Sequence, residues 1–400
     1  MSTATADLAT VLCDNAASLS ERMTTNRRRI HAFPELGLEL PKTQSLVLEE
    51  LKRIGVDAVR TGSGLSSVVA DIVGTAASSS KPQVIGLRAD MDALPLRETN
   101  DLEFRSQNAG CMHACGHDAH VSMLLGAAEI LVKQRASFAG TVRLLFQPGE
   151  EGFGGARIMI AEDALKGVDA VFALHVDPST PTGTFCIRRG TIMASADVFS
   201  VVFKGAGGHA SMPHYTRDPI PAIGPFVDGL SHIVSRETDP DDRIVLSVTQ
   251  VNAGTTNNVI APTAECGGTV RALTVKGRAT AHERLRRVAA GVAAARGIEA
   301  DVKFFAGYPP TVNHDEQVEH FAAAAEQVGL RVAWLPSPVM GAEDFSYMLE
   351  NAPGAFAFLG AKAEDGGPLH SDLMKIDESV MHHGAAVHAA IALRYLAPSS

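Results

Sequence analysis

No uninterrupted apolar run in the 400 residues approaches the ~18 that a membrane span requires, so a membrane-spanning helical protein is not expected. The opening stretch "MSTATADLATVLCDNAASLS" lacks both a basic n-region and a continuous apolar h-region. A secretory signal is therefore not expected, and a cytoplasmic location is. Cysteine is sparse and unpaired in pattern: Cys13, Cys111, Cys115, Cys186 and Cys266 form an odd, scattered set that fits reduced thiols better than a disulfide framework. Positive charge is also short, with 35 Lys and Arg against 45 Asp and Glu and a net charge of -10. Phosphate binding draws on clustered Lys and Arg, so a nucleic-acid partner is not expected. "NRRRIH" is the only dense basic run, and it is short. A G-x-S-x-G elbow is missing, which disfavours a serine hydrolase.

What is present is the composition of a soluble globular protein, 46% hydrophobic and 20% charged, in a chain long enough for two domains. Short apolar runs at 82–89, 140–146, 168–175 and 354–360 read as strands. The segment 119–134 reads as a buried helix and 154–167 as a shorter one; "GTAASSSKP" reads as a surface loop. The alternation predicts an α/β domain on a largely parallel sheet. The middle of the chain differs: "DVFSVVFKG", "IPAIGPFVDGLSHIVSR", "DRIVLSVTQV", "AECGGTVRAL", "TAHERLRRVAAGVAAARG" and "EADVKFF" follow the order β-α-β-β-α-β. That is the ferredoxin-like split βαβ pattern. The expected organisation is a catalytic domain of 1–186 and 305–400, with an α+β domain inserted at 187–304.

Function in open α/β sheets gathers at the carboxyl ends of strands. Read at those ends, the sequence offers Asp90 and Asp92, then Glu150 and Glu151, then His175, and finally His370. Cys115 and His117, in "MHACGHDAH", enter the helix after the first of these strands. Each residue alone has a bland alternative: His175 as a core histidine, Glu150–Glu151 as a solvated turn, Cys115 as a small buried hydrophobe. Their joint placement favours a metal site. His113 and His120 keep the bland alternative, because one short loop cannot aim every side chain at one point. Thiolate, imidazole and carboxylate together suit zinc or a similar transition ion rather than magnesium or calcium. Five or more ligands exceed a mononuclear zinc site and suit two ions ~3.5 to 4 Å apart, with an activated water as nucleophile. Neighbours on an extended segment point in opposite directions, so one of Glu150 and Glu151 is expected to ligate and the other to take the proton of the water.

"RRRIHAFPELG", "LRADMDALP", "MHACGHDAH", "FQPGEEGFGGA", "GGHASMPH", "NNVIAP" and "MGAEDF" resemble, in order and spacing, the metal-dependent amidohydrolases that include hippurate hydrolase, indole-3-acetyl-amino-acid hydrolases and N-acyl-amino-acid deacylases. These are aminoacylase- and carboxypeptidase-like zinc peptidases, and the resemblance runs from about Arg27 to about Asp372. It implies a dinuclear catalytic domain with an inserted lid that also dimerises. It implies Cys115, His117, Glu151, His175 and His370 as metal ligands, Glu150 as general base and Asp92 as a carboxylate that orients a ligand. Asp90 stands where more distant relatives carry a metal-binding His, and it ranks below the five. His209, Asn258 and Arg271, in the inserted domain, resemble residues that contact the substrate carboxylate or the reacting carbonyl oxygen. For Arg271 the rival is a surface ion pair; for Asp344, lining the pocket and starting a helix weigh evenly. "GAGGHA" imitates a dinucleotide fingerprint, but Pro213 follows where a helix would have to continue.

The expected activity is hydrolysis of the amide bond of N-acyl amino acids by a metal-activated water. The cofactor is two divalent transition ions per chain, zinc first, with manganese, cobalt or nickel as substitutes. The alternatives are a carboxypeptidase or dipeptidase using the same site, and a catalytically silent binding protein. A homodimer formed through the inserted domain is implied by the resemblance.

Overall fold

The computed structural model describes residues 3–56, 58–79, 81–239 and 242–398, and Ser80 of the Gly/Ser-rich loop lies outside them. The described chain divides into two compact units, 1–192 with 312–337 and 344–400, and 193–311 with 338–343. No helix of the described residues is long and apolar enough to cross a membrane.

The first unit is built on an eight-stranded sheet in the order Ala58–Thr61, Val68–Val73, Gly140–Gln147, Gln83–Asp90, Ala170–Asp177, Gly354–Gly360, Thr184–Ile187, Arg331–Trp334. Its centre, from Gly140–Gln147 to Gly354–Gly360, is parallel, while the Val68–Val73 strand joins it antiparallel. The central strands form unbroken apolar runs because both faces are covered: every residue of Gly354–Gly360 is buried. Helix His117–Lys133 packs on the Gln83–Asp90 strand and against helices Ser20–Ala32 and Met381–Tyr395, and most of its residues are buried. It begins two residues before the predicted start, which puts His117 in its first turn.

One predicted helix is shorter than expected. The segment 154–167 is helical only over Gly155–Ala161. Asp163 then takes a left-handed backbone at φ 62°, and the Arg60 guanidinium donates to the carbonyls of Glu162 and Asp163, satisfying the helix end without another turn.

The second unit is a four-stranded antiparallel sheet ordered Ile244–Ala253, Thr263–Ala272, Asp197–Lys204, Glu299–Ala306. Helices Ile223–His232 and Val275–Ala294 cover it. Numbered along the unit, the sheet order is 2-3-1-4, as a split βαβ arrangement requires. The alternation of the Asp197–Lys204 strand puts Phe199, Val201 and Phe203 into the core with Phe226 and Leu285.

A buried carboxylate ties this unit together. Asp197 accepts from Arg278 Nε at 2.7 Å, His282 Nε2 at 2.8 Å and the Gly307 N–H at 2.9 Å. Burial pushes its carboxyl up, but these partners hold it well below the usual carboxylate range. A depressed carboxyl stabilises fully above its unfolded pKa of about 4 and loses that contribution as the pH falls toward the folded value. Asp197→Ala, which leaves Arg278 uncompensated, is expected to cost about 3–5 kcal/mol in urea unfolding at pH 7. The gap between the native protein and Asp197→Asn should narrow below about pH 4; a constant gap would contradict the assignment.

Candidate metal centre

Four strand ends and one loop bring the ligand-type side chains together in the first unit. Within it, Cys115, His117 and His175 offer ligand atoms all within 4.8 Å of one another, and so do Cys115, Glu151 and His370. Cys115 is common to both groups. His117, Glu150 and Glu151 form a third such set.

The local backbone explains how so short a segment aims two ligand-type side chains at one place. Gly116 separates them in a left-handed conformation, φ 87°, which only glycine adopts cheaply. A Cβ there would lie 2.4 Å from Val176 Cγ2, so the close approach to the neighbouring strand also demands glycine. His370 has a left-handed backbone of its own, φ 64°, and its N–H donates to the Ala114 carbonyl at 2.8 Å. A strained residue tied to the same loop is a mark of a site in use.

The histidine tautomers follow from hydrogen bonds. His117 Nδ1 donates to the Asp92 carbonyl at 2.8 Å, and His175 Nδ1 donates to the Val176 carbonyl at 2.7 Å. Each ring therefore turns its Nε2 toward the cluster, the atom that a metal-ligating histidine offers. His175 Nε2 lies 3.3 Å from Cys115 Sγ. His117 Nε2 is buried without a hydrogen-bond partner among the described residues, as is Glu151 Oε1, which stands 3.4 Å from His370 Nε2. Buried polar atoms without partners are costly unless a ligand completes them.

Electrostatics point the same way. Burial, then the nearby carboxylates of Glu151, Glu150 and Asp90, push the Cys115 thiol well above its ordinary value. Burial opposes charge on His117, yet Asp90, Asp92 and Glu151 outweigh it and raise the ring to about 10. The cavity is short of positive charge. A divalent cation supplies it, makes the thiolate affordable and displaces the His117 proton. The donor set thus fits two divalent transition ions.

Asp92 acts through both ends of the residue. Its carbonyl orients His117, while its carboxylate takes the N–H of Glu150 at 2.9 Å and of Glu151 at 3.0 Å. One buried side chain thereby fixes the turn that carries both glutamates. Asp90 is fully engaged elsewhere: Arg88 donates to it at 2.6 Å and His120 Nδ1 at 2.6 Å, with His117 Nε2 more distant at 3.5 Å. Burial pushes the Asp90 carboxyl up, but Arg88 and the two histidines hold it well below the usual range. His120 uses its second nitrogen to accept the Val176 N–H at 2.9 Å, so neither ring nitrogen is left for a metal. His113 is buried with both ring nitrogens unpaired among the described residues.

Asp344 is the N-cap residue of helix Phe345–Asn351 and is more than a helix-start acid. It is buried and takes Arg88, both contacts from Gln147 Nε2, and the Ala156 N–H. Arg88 and Gln147 lie inside the motifs "LRADMDALP" and "FQPGEEGFGGA", but neither was assigned a role from the sequence. Only their inward positions on strands buried on both faces mark them out.

Residues 86–394 match the model of peptidase family M20/M25/M40. The chain belongs to that family. Thermostable carboxypeptidase 1 of Saccharolobus solfataricus is 40% identical over 97% of this chain and 99% of its own. IAA-amino acid hydrolase ILR1-like 2 of Arabidopsis thaliana is 42% identical over 94% of this chain and 85% of its own. Among solved structures, the Bacillus subtilis YXEP protein, described as a dinuclear metal binding peptidase from the M20 family, superimposes with a TM-score of 0.84 at 34% identity, covering 95% of this chain and 99% of that one. The chain is thus a metal-dependent hydrolase of the M20 fold, with clustered ligands for two divalent ions.

In the second unit, strand Gly208–His209 pairs with Val259–Ile260, which brings His209 beside Asn258; the Ala210 N–H donates to the Asn258 carbonyl at 3.1 Å. Arg271 is half-buried on strand Thr263–Ala272 and makes no ion pair among the described residues. Among the described residues, the surface ion pair that rivals a binding role for Arg271 is not formed.

Gly116→Ala is expected to strain the loop by roughly 1–2 kcal/mol through the left-handed backbone alone, with the Val176 clash added. Metal content after dialysis, read by plasma mass spectrometry, should fall below that of the unaltered protein. Unchanged content and melting temperature would contradict this account of the loop.

Proposed function

We propose that this member of the M20 family hydrolyses the amide bond that joins an amino acid bearing a free carboxylate to the group on its nitrogen. Peptide bonds are the first substrate class and N-acyl bonds the second. The sequence alone put N-acyl amino acids first. Two thermostable carboxypeptidases, each 40% identical over 97% of this chain, move the weight to carboxypeptidase-type cleavage, while the amino-acid-conjugate hydrolase and an N-acetylcysteine deacetylase keep the second class in play.

The observation that carries the proposal is the pairing of Glu150 with the ligand cluster. Asp92 grips both Glu150 and Glu151 through their backbone, and both carboxylates lie with His117 in one set of ligand atoms within 4.8 Å of one another. Cys115, His117, Glu151, His175 and His370 would hold the ions, with zinc first and manganese, cobalt or nickel as substitutes. Two divalent ions there would polarise the scissile carbonyl and lower the pKa of the attacking water. Glu150 accepts the proton of that water and delivers it to the leaving amine. A silent binding protein has no need of such a base.

The inserted unit supplies recognition in this proposal. His209 Nδ1 accepts from the Ser211 N–H at 3.1 Å, so a neutral ring carries its proton on Nε2, the form that donates to an oxyanion. Asn258 is its neighbour in this role. Arg271, without an ion pair of its own, would take the substrate carboxylate through two parallel hydrogen bonds. The unit would also serve as lid and as the contact of a homodimer, since its edge strand Ile244–Ala253 leaves backbone groups unpaired and exposes Val245 and Val251.

Glu150→Gln should retain its metal and lose about 10²- to 10⁴-fold in turnover. Normal rates from that variant would overturn the mechanism. Dipeptides with a free carboxyl end should be cut and their C-terminal amides spared. Cleavage confined to N-acetyl and N-benzoyl amino acids would transfer the assignment to the second class.

A further inference from the structure

The basic run "NRRRIH" has no role in the site as described, yet Asn26, Arg27, Ile30 and His31 of it are buried, while Arg28 and Arg29 are exposed. On helix Ser20–Ala32, Arg27 and His31 are one turn apart and both buried, at 2% and 0% exposure. His31 Nδ1 lies 2.8 Å from Asp118 Oδ2, and its Nε2 lies 3.1 Å from Glu98 Oε1. Carboxylates only accept, so both nitrogens donate and the ring is an imidazolium. Arg27 Nε adds a second donor to Asp118 Oδ2 at 3.1 Å.

The two carboxylates belong to the segment that carries the metal ligands. Residues 91–116 contain no helix or strand and only isolated bridges, an unusually long irregular stretch for a compact unit. Asp92 stands at its start and Cys115 near its end. Glu98 lies between, where it also takes the Ser106 N–H at 2.7 Å and Asn100 Nδ2 at 3.3 Å. Asp118 follows His117 directly and accepts the Ala119 N–H at 2.9 Å, so its carboxylate is fixed to the first turn of the helix. His113, within the same segment, contributes no hydrogen bond from its ring.

We propose that His31 is a positioning residue: its imidazolium staples the middle of the ligand-bearing loop to the first turn of the helix that carries His117. The ring touches neither substrate nor metal. It acts by compensating two buried carboxylates and joining them, so that Cys115 and His117 are held at the separation the ions need. Phe104, from the same loop, packs edge-on to the ring at 5.4 Å between centroids and closes it from water. Arg28 is half-exposed, shares Glu378 with Arg27 and lies over the Phe104 ring at 4.7 Å, but its guanidinium makes no hydrogen bond to Asp118 or Glu98 among the described residues, so its loss leaves both His31 contacts in place.

This inference rests on the two-ion assignment, and the test keeps the two apart. Metal affinity is measured by chelator competition on His31→Gln, Glu98→Gln and Arg28→Ala, beside the unaltered protein, together with the visible spectrum of each cobalt-loaded form and the melting temperature of each metal-free form. If the unaltered protein does not bind two ions, the metal assignment itself fails. Given that it does, His31→Gln should lose about 10- to 100-fold in affinity, the range found when partners of metal ligands are removed. Its cobalt spectrum should shift, while Arg28→Ala matches the unaltered protein in both. Should His31→Gln fail to fold, Glu98→Gln carries the test with a smaller loss and a shifted spectrum. Unchanged affinity and spectrum in the folded variants would overturn the proposal, as would an equal loss in Arg28→Ala.

Discussion

Asp90, Asp92, Glu150 and the Cys115 thiol are buried together at one edge of a parallel sheet. Uncompensated charge in such a place costs several kcal/mol per group, and much of the surrounding structure answers to that cost. Arg88 is spent on Asp90 and Asp344. The backbone of the Glu150–Glu151 turn is spent on Asp92. Arg27 and His31 are spent on Asp118. What remains after these pairings is the His117 Nε2 and the Glu151 Oε1, without a hydrogen-bond partner among the described residues, and a thiol that burial and its carboxylate neighbours hold in its neutral form. The metal site is the uncompensated remainder of an otherwise balanced charge network.

Much of this was legible in the sequence, for physical reasons. The central strands are buried on both faces, so they form continuous apolar runs whose ends are plain, and ligand-type residues at those ends stand out. Gly354–Gly360 was placed to the residue. The order of elements in the inserted unit gave its sheet topology, because alternating apolar residues and turn spacing leave few other arrangements. The short helix Gly155–Ala161 was overextended, since the Arg60 contacts that end it come from a distant strand.

The supporting network was not legible. Asp92 works through its carbonyl and through backbone N–H groups, which are the same for every residue type. Arg88 looks like an ordinary strand arginine until both faces of the sheet are known to be covered. "NRRRIH" reads in the sequence only as a short basic run, because its partners Glu98, Asp118 and Glu378 lie far away along the chain and are brought to it by the fold. His120 has the bland role expected of it, with both nitrogens satisfied, whereas His113 is buried without a partner for either among the described residues.

The central claim is that charge left over from this network is met by two ions on Cys115, His117, Glu151, His175 and His370. The most direct measurement is a crystal structure of the metal-loaded protein with anomalous maps recorded on both sides of the metal edge. The account predicts two peaks ~3.5 to 4 Å apart, bound through Nε2 of His117 and His175, with Asp90 and His120 still on Arg88 and Val176. A single ion, or ions seated on Asp90 and His120, would contradict it.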